Sequence, residues 1–271
     1  MKRFLAINSV SAWIGFLFHA FPAMAETPFT EVYFQGHRCL VVEPADLPSN
    51  APVVIMLHGF GTNRYELLHL CNQLGLPPCL FVLPDAPLRV ARASSEAHAW
   101  YDRYTHSRKD MEDSRDYLFA LMDHFSKDIP DDSTRSPDPD TGYSGPSTPP
   151  ASPQPRPVII MGFSQGALMS LEAGLNYQGN IEAIVSMSGF IEYPGKTMAH
   201  PSAPRKTPIL LVHGEWDPVV QEEDTQETMK VLRRAGYHPV LKEFLMGHKV
   251  TYNTINAVST FLQGVFADNG Q

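Results

Sequence analysis

The stretch Val158-Ile159-Ile160-Met161-Gly162-Phe163-Ser164-Gln165-Gly166-Ala167-Leu168 constrains this chain more than any other. A short apolar, largely β-branched run ends in Gly-x-Ser-x-Gly, and a segment compatible with a helix, Ala167 to Asn176, follows at once. A buried strand, a sharp turn and a helix in direct succession predict a serine in a strained backbone conformation, with its hydroxyl exposed at the end of a sheet. Gly162 and Gly166 flank the serine because such a turn needs neighbours without a Cβ. The helix N-terminus beside the hydroxyl favours negative charge developing there. A bare Gly-x-Ser-x-Gly also occurs in glycine-rich loops, and the strand before and helix after set this one apart. The rest of the chain must then supply a base, an acid and an oxyanion hole.

Strand and helix signals alternate on both sides of this stretch. Thr30 to Val42 alternates apolar and polar residues around Gln35-Gly36-His37, which predicts an opening antiparallel hairpin. Val53 to Leu57 is wholly apolar, the signature of a strand buried on both faces of a parallel sheet. Asn63 to Leu74 is then expected as a helix, Cys79 to Leu83 as a strand, and Asp110 to Lys127 as a crossover helix with Leu118, Leu121, Met122 and Phe125 at helical spacing. Further strands are expected at Ala183–Met187, Ile209–Val212 and Val240–Leu245, and helices at Glu222–Ala235 and Val250–Phe266. The implied class is α/β, a doubly wound, mostly parallel sheet with helices on both faces.

In such a sheet the reacting groups sit on loops at the carboxyl ends of the strands. That rule selects Asp217, directly after Ile209–Val212, and His248, directly after Val240–Leu245. The chain order Ser164, Asp217, His248 is the one expected of an α/β-hydrolase. Each residue type has its reason: a serine hydroxyl is a weak nucleophile until a neutral imidazole takes its proton, and a buried carboxylate fixes the tautomer of that imidazole. Glu215 is the alternative acid, but Asp217 precedes Pro218 and an apolar pair, which suits a fixed turn. One oxyanion amide is expected from Gln165, just after the serine, and another from Phe60, which lies between Gly59 and Gly61 in the loop after the first buried strand. His58 is expected to order that loop and His213 to be structural. His69, His98, His106, His124, His200 and His238 are expected at the surface.

Leu57-His58-Gly59-Phe60-Gly61, Leu83-Pro84-Asp85-Ala86-Pro87, Trp100-Tyr101-Asp102, Gly162-Phe163-Ser164-Gln165-Gly166-Ala167 and His213-Gly214-x-x-Asp217-Pro218-Val219-Val220 resemble the phospholipase/carboxylesterase family. That family includes carboxylesterases, lysophospholipases and acyl-protein thioesterases, and the resemblance runs from about Val53 to the C-terminus. It implies a cofactor-free Ser-Asp-His hydrolase of carboxylic esters or thioesters, with Phe60 and Gln165 as oxyanion donors and Trp100 beside the acyl site. Lysophospholipids and acylated polysaccharides or polyesters are alternative substrates, and a hydrolase-like binding protein without turnover is an alternative of another class.

The N-terminus adds a location. Lys2 and Arg3 precede an apolar run from Phe4 to Phe21 that ends in Pro22-Ala23-Met24-Ala25. That pattern predicts a secretory signal over residues 1–25, with residues 26–271 as one exported, extracytoplasmic domain. Family thioesterases usually work in the cytosol, so an export signal points away from their intracellular substrates. No later stretch is apolar enough to span a bilayer. The net charge of −8 argues against a nucleic-acid partner, and no His/Cys spacing suggests a metal. In an exported chain Cys71 and Cys79 could pair and leave Cys39 alone, or all three could be buried thiols. A segment rich in Pro, Asp, Ser and Thr, about 129–157, is expected as a solvated insertion within the domain.

Overall fold

Successive residues of the run Val53–Leu57 face opposite ways, and each face finds a different core. Val53, Ile55 and Leu57 join one apolar cluster, whereas Val54 and Met56 join the other. A strand apolar on both faces can be stable only with layers above and below it. The structure, a computed structural model, describes residues 27–90, 96–127 and 155–268. The expected secretory segment and most of the expected insertion at 129–157 lie outside the described residues.

The strands are β1 (Thr30–Phe34), β2 (His37–Val42), β3 (Val53–Leu57), β4 (Leu80–Pro84), β5 (Leu88–Arg89), β6 (His98–Ala99), β7 (Val158–Phe163), β8 (Ile181–Met187), β9 (Ile209–Gly214) and β10 (Val240–Phe244). The helices are α1 (Leu70–Gln73), α2 (Arg108–Ser126), α3 (Gln165–Asn176), α4 (Pro194–Thr197), α5 (Glu222–Arg234) and α6 (Tyr252–Asp268). Eight strands form one sheet in the order β1-β2-β4-β3-β7-β8-β9-β10, with β5 and β6 as a separate ribbon. From β4 to β10 the neighbours are parallel, and β1 and β2 add an antiparallel edge. The expected doubly wound α/β architecture is therefore observed.

Local chemistry explains most boundaries. Gln35 and Gly36 both have positive φ, which closes the β1–β2 hairpin with a two-residue turn of matching twist. The Ser107 side chain accepts the Asp110 N–H and caps α2 at Arg108. Helix α5 opens on Glu222, Glu223 and Asp224 and closes on Arg233 and Arg234, the charge order that the helix dipole favours. Helices α2 and α3 and the apolar side of α5 cover one face of the sheet; α1 and α6 cover the other.

The segment Asn63–Leu74 departs from expectation. Only Leu70–Gln73 is helical. Before it, Glu66 bonds back to Asn63, Leu68 to Tyr65 and Leu70 to Leu67, each a turn of one residue less than a helix requires. Side chains anchor its start: Asn63 Oδ1 accepts the Tyr65 N–H and Asp85 Oδ1 accepts the Arg64 N–H. The segment is thus tied to the end of β4 rather than wound on itself.

All three cysteines are free and buried. Burial pushes the Cys71 and Cys79 thiols up to about 12 and Cys39 to about 11, so they remain protonated, unreactive core groups. Among the described residues no helix is long and apolar enough to cross a membrane, and no three His, Cys, Asp or Glu side chains are grouped to hold a metal.

Candidate active site

Strand β7 delivers Ser164 to the N-terminus of α3 with φ 55° and ψ −121°. A non-glycine residue held there stores strain, of order 1–3 kcal/mol, and needs its surroundings to hold it. They do: the Ser164 N–H bonds the Met187 carbonyl of β8 at 2.9 Å, and the Ser164 carbonyl accepts the Ala167 N–H at 2.9 Å. The two glycines are sterically required. A Cβ on Gly162 would stand 2.2 Å from the Gly166 oxygen.

Asp217 and His248 arrive on the loops after β9 and β10. These loops interlock, because the Trp216 N–H bonds the Met246 carbonyl at 3.1 Å and Gly214 leaves room for the same carbonyl. His248 Nδ1 lies 2.7 Å from Asp217 Oδ2, and His248 Nε2 lies 2.8 Å from Ser164 Oγ. A carboxylate can only accept, so Nδ1 carries the proton and Nε2 is left to accept from the serine hydroxyl. The other oxygen of Asp217 accepts the N–H groups of Val219 and Val220 at 2.9 and 3.0 Å. Burial alone would raise this carboxyl; the Val220 amide, the imidazole and the Val219 amide outweigh it and hold the group below its usual range. Glu215, the alternative acid, is exposed.

The expected oxyanion loop touches the serine: a Cβ on Gly59 would lie 3.4 Å from Ser164 Cβ. The Gly59 carbonyl accepts from His58 Nδ1 at 2.7 Å and from Thr62 Oγ1 at 3.0 Å, and the Gly59 N–H bonds Glu66 Oε2 at 2.6 Å. No peptide among the described residues is cis. The Phe60 N–H therefore points opposite to that pinned carbonyl. On the other side of the serine, the Gln165 N–H lies in the first turn of α3, where no intrahelical acceptor exists. Phe60 and Gln165 line the same cleft as Ser164.

His58 orders this loop, as expected. Its Nε2 accepts the Ala86 N–H at 3.0 Å, so the proton sits on Nδ1 and faces the Gly59 carbonyl. Burial pulls its pKa down to about 4, which keeps the ring neutral. The Gln165 side chain clamps the next layer, accepting the Trp100 N–H and donating to the Tyr101 carbonyl, both at 2.8 Å.

Trp100 itself requires a correction. It is fully buried, donates its indole N–H to the His58 carbonyl at 2.9 Å, and is not among the cleft-lining residues. It stands behind the oxyanion loop, and its neighbour Tyr101 lines the cleft instead. His98 also departs from expectation. It is buried, bonds the Ala86 carbonyl at 2.8 Å, and lies 3.6 Å from Asp85. Asp85 in turn pairs with the buried Arg64 at 2.9 Å. His213 is buried against Thr225 Oγ1, as a structural histidine.

Sequence reasoning missed the walls of the cleft. Its volume is about 180 Å³; Leu168, Phe190, Val219 and Val220 supply apolar surface, and Arg103, His106 and Glu192 the polar surface. His106 Nδ1 meets Glu192 Oε1 at 3.0 Å, and Arg103 lies over the Phe60 ring at 5.1 Å. No common spacing groups these residues, since they come from helix α3 and from the loops before α2, after β8 and after β9, which meet only in the fold. The one local sign, the left-handed backbone of His106, is visible only in coordinates.

A parallel sheet with a strained serine at a strand–helix turn and a hydrogen-bonded histidine and aspartate beside it has the architecture of an α/β-hydrolase. Residues 37–266 match the family described as Phospholipase/Carboxylesterase. The chain is 30% identical over 227 residues to acyl-protein thioesterase 1 of Neurospora crassa, covering 77% of this chain and 84% of that one. To acyl-protein thioesterase 1 of Saccharomyces cerevisiae it is 43% identical over 180 residues, 62% of this chain and 70% of the relative. To that of Gibberella zeae it is 33% identical over 114 residues, 40% of this chain and about half (48%) of the relative's length. Among solved structures, esterase PE8 superposes with a TM-score of 0.65 at 25% identity over 83% of this chain and 97% of that one. Acyl-protein thioesterase 2 of Zea mays shares the fold, with a TM-score of 0.63 at 22% identity over 84% and 98% of the two chains. The chain belongs to the phospholipase/carboxylesterase family, and is an enzyme of the serine carboxylesterase and phospholipase-like class.

Proposed function

We propose that this protein is an exported serine hydrolase that cleaves carboxylic esters or thioesters through Ser164, His248 and Asp217. Ser164 Oγ attacks the acyl carbonyl while His248 Nε2 takes its proton. The tetrahedral oxyanion is held by the N–H groups of Phe60 and Gln165. The imidazolium returns its proton to the departing alcohol or thiol, leaving an acyl-serine. A water then repeats the sequence and releases the carboxylic acid. Asp217 keeps the imidazole in the tautomer that can accept, and steadies its charge.

The observation that carries this reading is the unbroken chain from Asp217 Oδ2 through His248 to Ser164 Oγ, at 2.7 and 2.8 Å. An acyl-enzyme route predicts a pre-steady-state burst of p-nitrophenol, equal to the enzyme concentration, from a p-nitrophenyl ester whose deacylation is slow. A burst that scales with something other than enzyme would reject the covalent route.

The extracytoplasmic location is supported by the basic start, apolar run and Ala23-Met24-Ala25 exit. N-terminal sequencing of the protein from its native host should begin at Glu26; a chain beginning at Met1 would reject export by cleavage.

A further inference from the structure

Glu66 lies half-buried in the tight turns before α1, and it pairs with no cation among the described residues. Its Oε2 instead accepts the N–H of Gly59, seven residues earlier, at 2.6 Å. A carboxylate partly removed from water without a counter-charge is costly, and its charge-assisted bond to that amide offsets the cost. The turns bring it there. The Glu66 N–H bonds the Asn63 carbonyl at 3.0 Å, and Arg64 between them is pinned to Asp85.

The same peptide unit is held from its other end. Its carbonyl, that of His58, accepts the indole N–H of Trp100 at 2.9 Å. Trp100 is fixed in turn, because its own N–H bonds Gln165 Oε1 at 2.8 Å and its carbonyl accepts from Ser114 Oγ at 2.6 Å. A peptide unit is planar, so engaging both its N–H and its carbonyl fixes the direction of the whole plane.

The next peptide unit is the one that matters for chemistry. The Gly59 carbonyl is engaged by His58 and Thr62, and beyond it the Gly61 N–H bonds the His98 carbonyl at 2.8 Å. Of the amides of residues 59 to 62, only that of Phe60 has no acceptor among the described residues, and Phe60 lines the cleft with Ser164. A Cβ on Gly59 would lie 3.4 Å from both Glu66 Oε2 and Ser164 Cβ, so the held peptide reaches the nucleophile itself.

We propose that Glu66 and Trp100 are positioning residues for the Phe60 oxyanion donor, holding the His58–Gly59 peptide by its N–H and its carbonyl so that the Phe60 N–H stays aimed at the oxyanion. Neither side chain touches the reacting atoms. The proposal rests on the reading of Ser164 as the nucleophile and of Phe60 as a donor. Glu66 acts as an acceptor, so a neutral amide oxygen in its place should largely suffice.

The test measures kcat and KM with p-nitrophenyl butyrate, beside inhibition by 1-butaneboronic acid. The boron adds to Ser164 Oγ as the hydroxyl proton passes to His248, and a boron-bound oxygen then occupies the oxyanion position. Removing an oxyanion donor outright costs about 10²–10³-fold in kcat, so misaiming one in Glu66→Ala should cost roughly 30-fold and in Trp100→Phe roughly tenfold. KM should change by less than about twofold, because the donor acts chiefly in the transition state, and boronate affinity should weaken in step with kcat. Glu66→Gln should lose only about threefold. Melting curves establish which variants fold, and either Glu66→Ala or Trp100→Phe suffices to decide. A folded variant of either kind that keeps kcat within twofold, or one whose kcat falls while boronate affinity holds, overturns the proposal and leaves the nucleophile in place. A loss in Glu66→Gln as large as in Glu66→Ala also overturns it. A wild type that neither hydrolyses the ester nor binds the boronate would overturn the nucleophile as well.

Discussion

A Cβ on Gly166 would stand 2.2 Å from the carbonyl oxygen of Leu57, so the turn that carries Ser164 is packed directly against the end of β3. The contact is backbone to backbone, and neither partner can swing aside. Gly166→Ala and Gly162→Ala should each lose roughly 3 kcal/mol of stability or more, through overpacking. Gly195→Ala is the control, since nothing lies within 4 Å of its added carbon; it should change stability by no more than about 1 kcal/mol. Urea denaturation of the three variants measures this.

His58 predicts a pH dependence of stability. Its pKa is about 4 in the fold, chiefly because burial disfavours the charged ring, against about 6.5 in an unfolded chain. Between these values the unfolded state binds the extra proton, so stability falls as pH drops from about 6.5 to about 4 and is full above that window. The loss from this group is roughly 3 kcal/mol. Urea midpoints from pH 4 to pH 7 should slope less steeply in His58→Gln than in the wild type, and an equal slope would remove His58 as the cause.

Asp85 predicts an asymmetry between breaking and replacing a buried pair. Its partner Arg64 is 3% exposed, and also meets Glu31 at 2.8 Å. Asp85→Ala leaves the guanidinium short of a counter-charge and should cost about 3–5 kcal/mol. The double variant Arg64→Met with Asp85→Leu removes both charges and should recover much of that loss. Thermal denaturation of the two variants decides it.

Asp217 predicts a catalytic effect without a structural one. Asp217→Asn keeps the shape of the turn but can donate to His248, which favours the tautomer that cannot accept from Ser164. The expected fall in kcat is about 10⁴-fold with the melting temperature little changed. Steady-state kinetics with a short p-nitrophenyl ester, beside calorimetry, checks both halves.

The elements that were legible in the sequence are those governed by local rules. The apolar run Val53–Leu57 encodes a strand covered on both faces, and Gly162 and Gly166 encode a turn that excludes a Cβ. Ser164, Asp217 and His248 follow from where strands end, and the fold brings them within hydrogen-bonding distance. What escaped was settled by distant partners. Asn63–Leu74 has helical spacing, but most of it runs in turns one residue tighter than an α-helix, anchored at Arg64 to Asp85 just after β4. His98 reads as a surface residue and is buried by the loop that carries Ala86. Trp100 lies in the right loop but behind the cleft, and Glu192 and His106 meet across 86 residues of sequence.

The most direct measurement of the central claim is covalent labelling of the folded protein with a fluorophosphonate, with the adduct mapped by mass spectrometry. A single adduct on Ser164 is expected. Labelling should be abolished in Ser164→Ala, whose ester hydrolysis should be lower by about 10⁶-fold. An adduct on any other residue, or an alanine variant that keeps the wild-type rate, would contradict it.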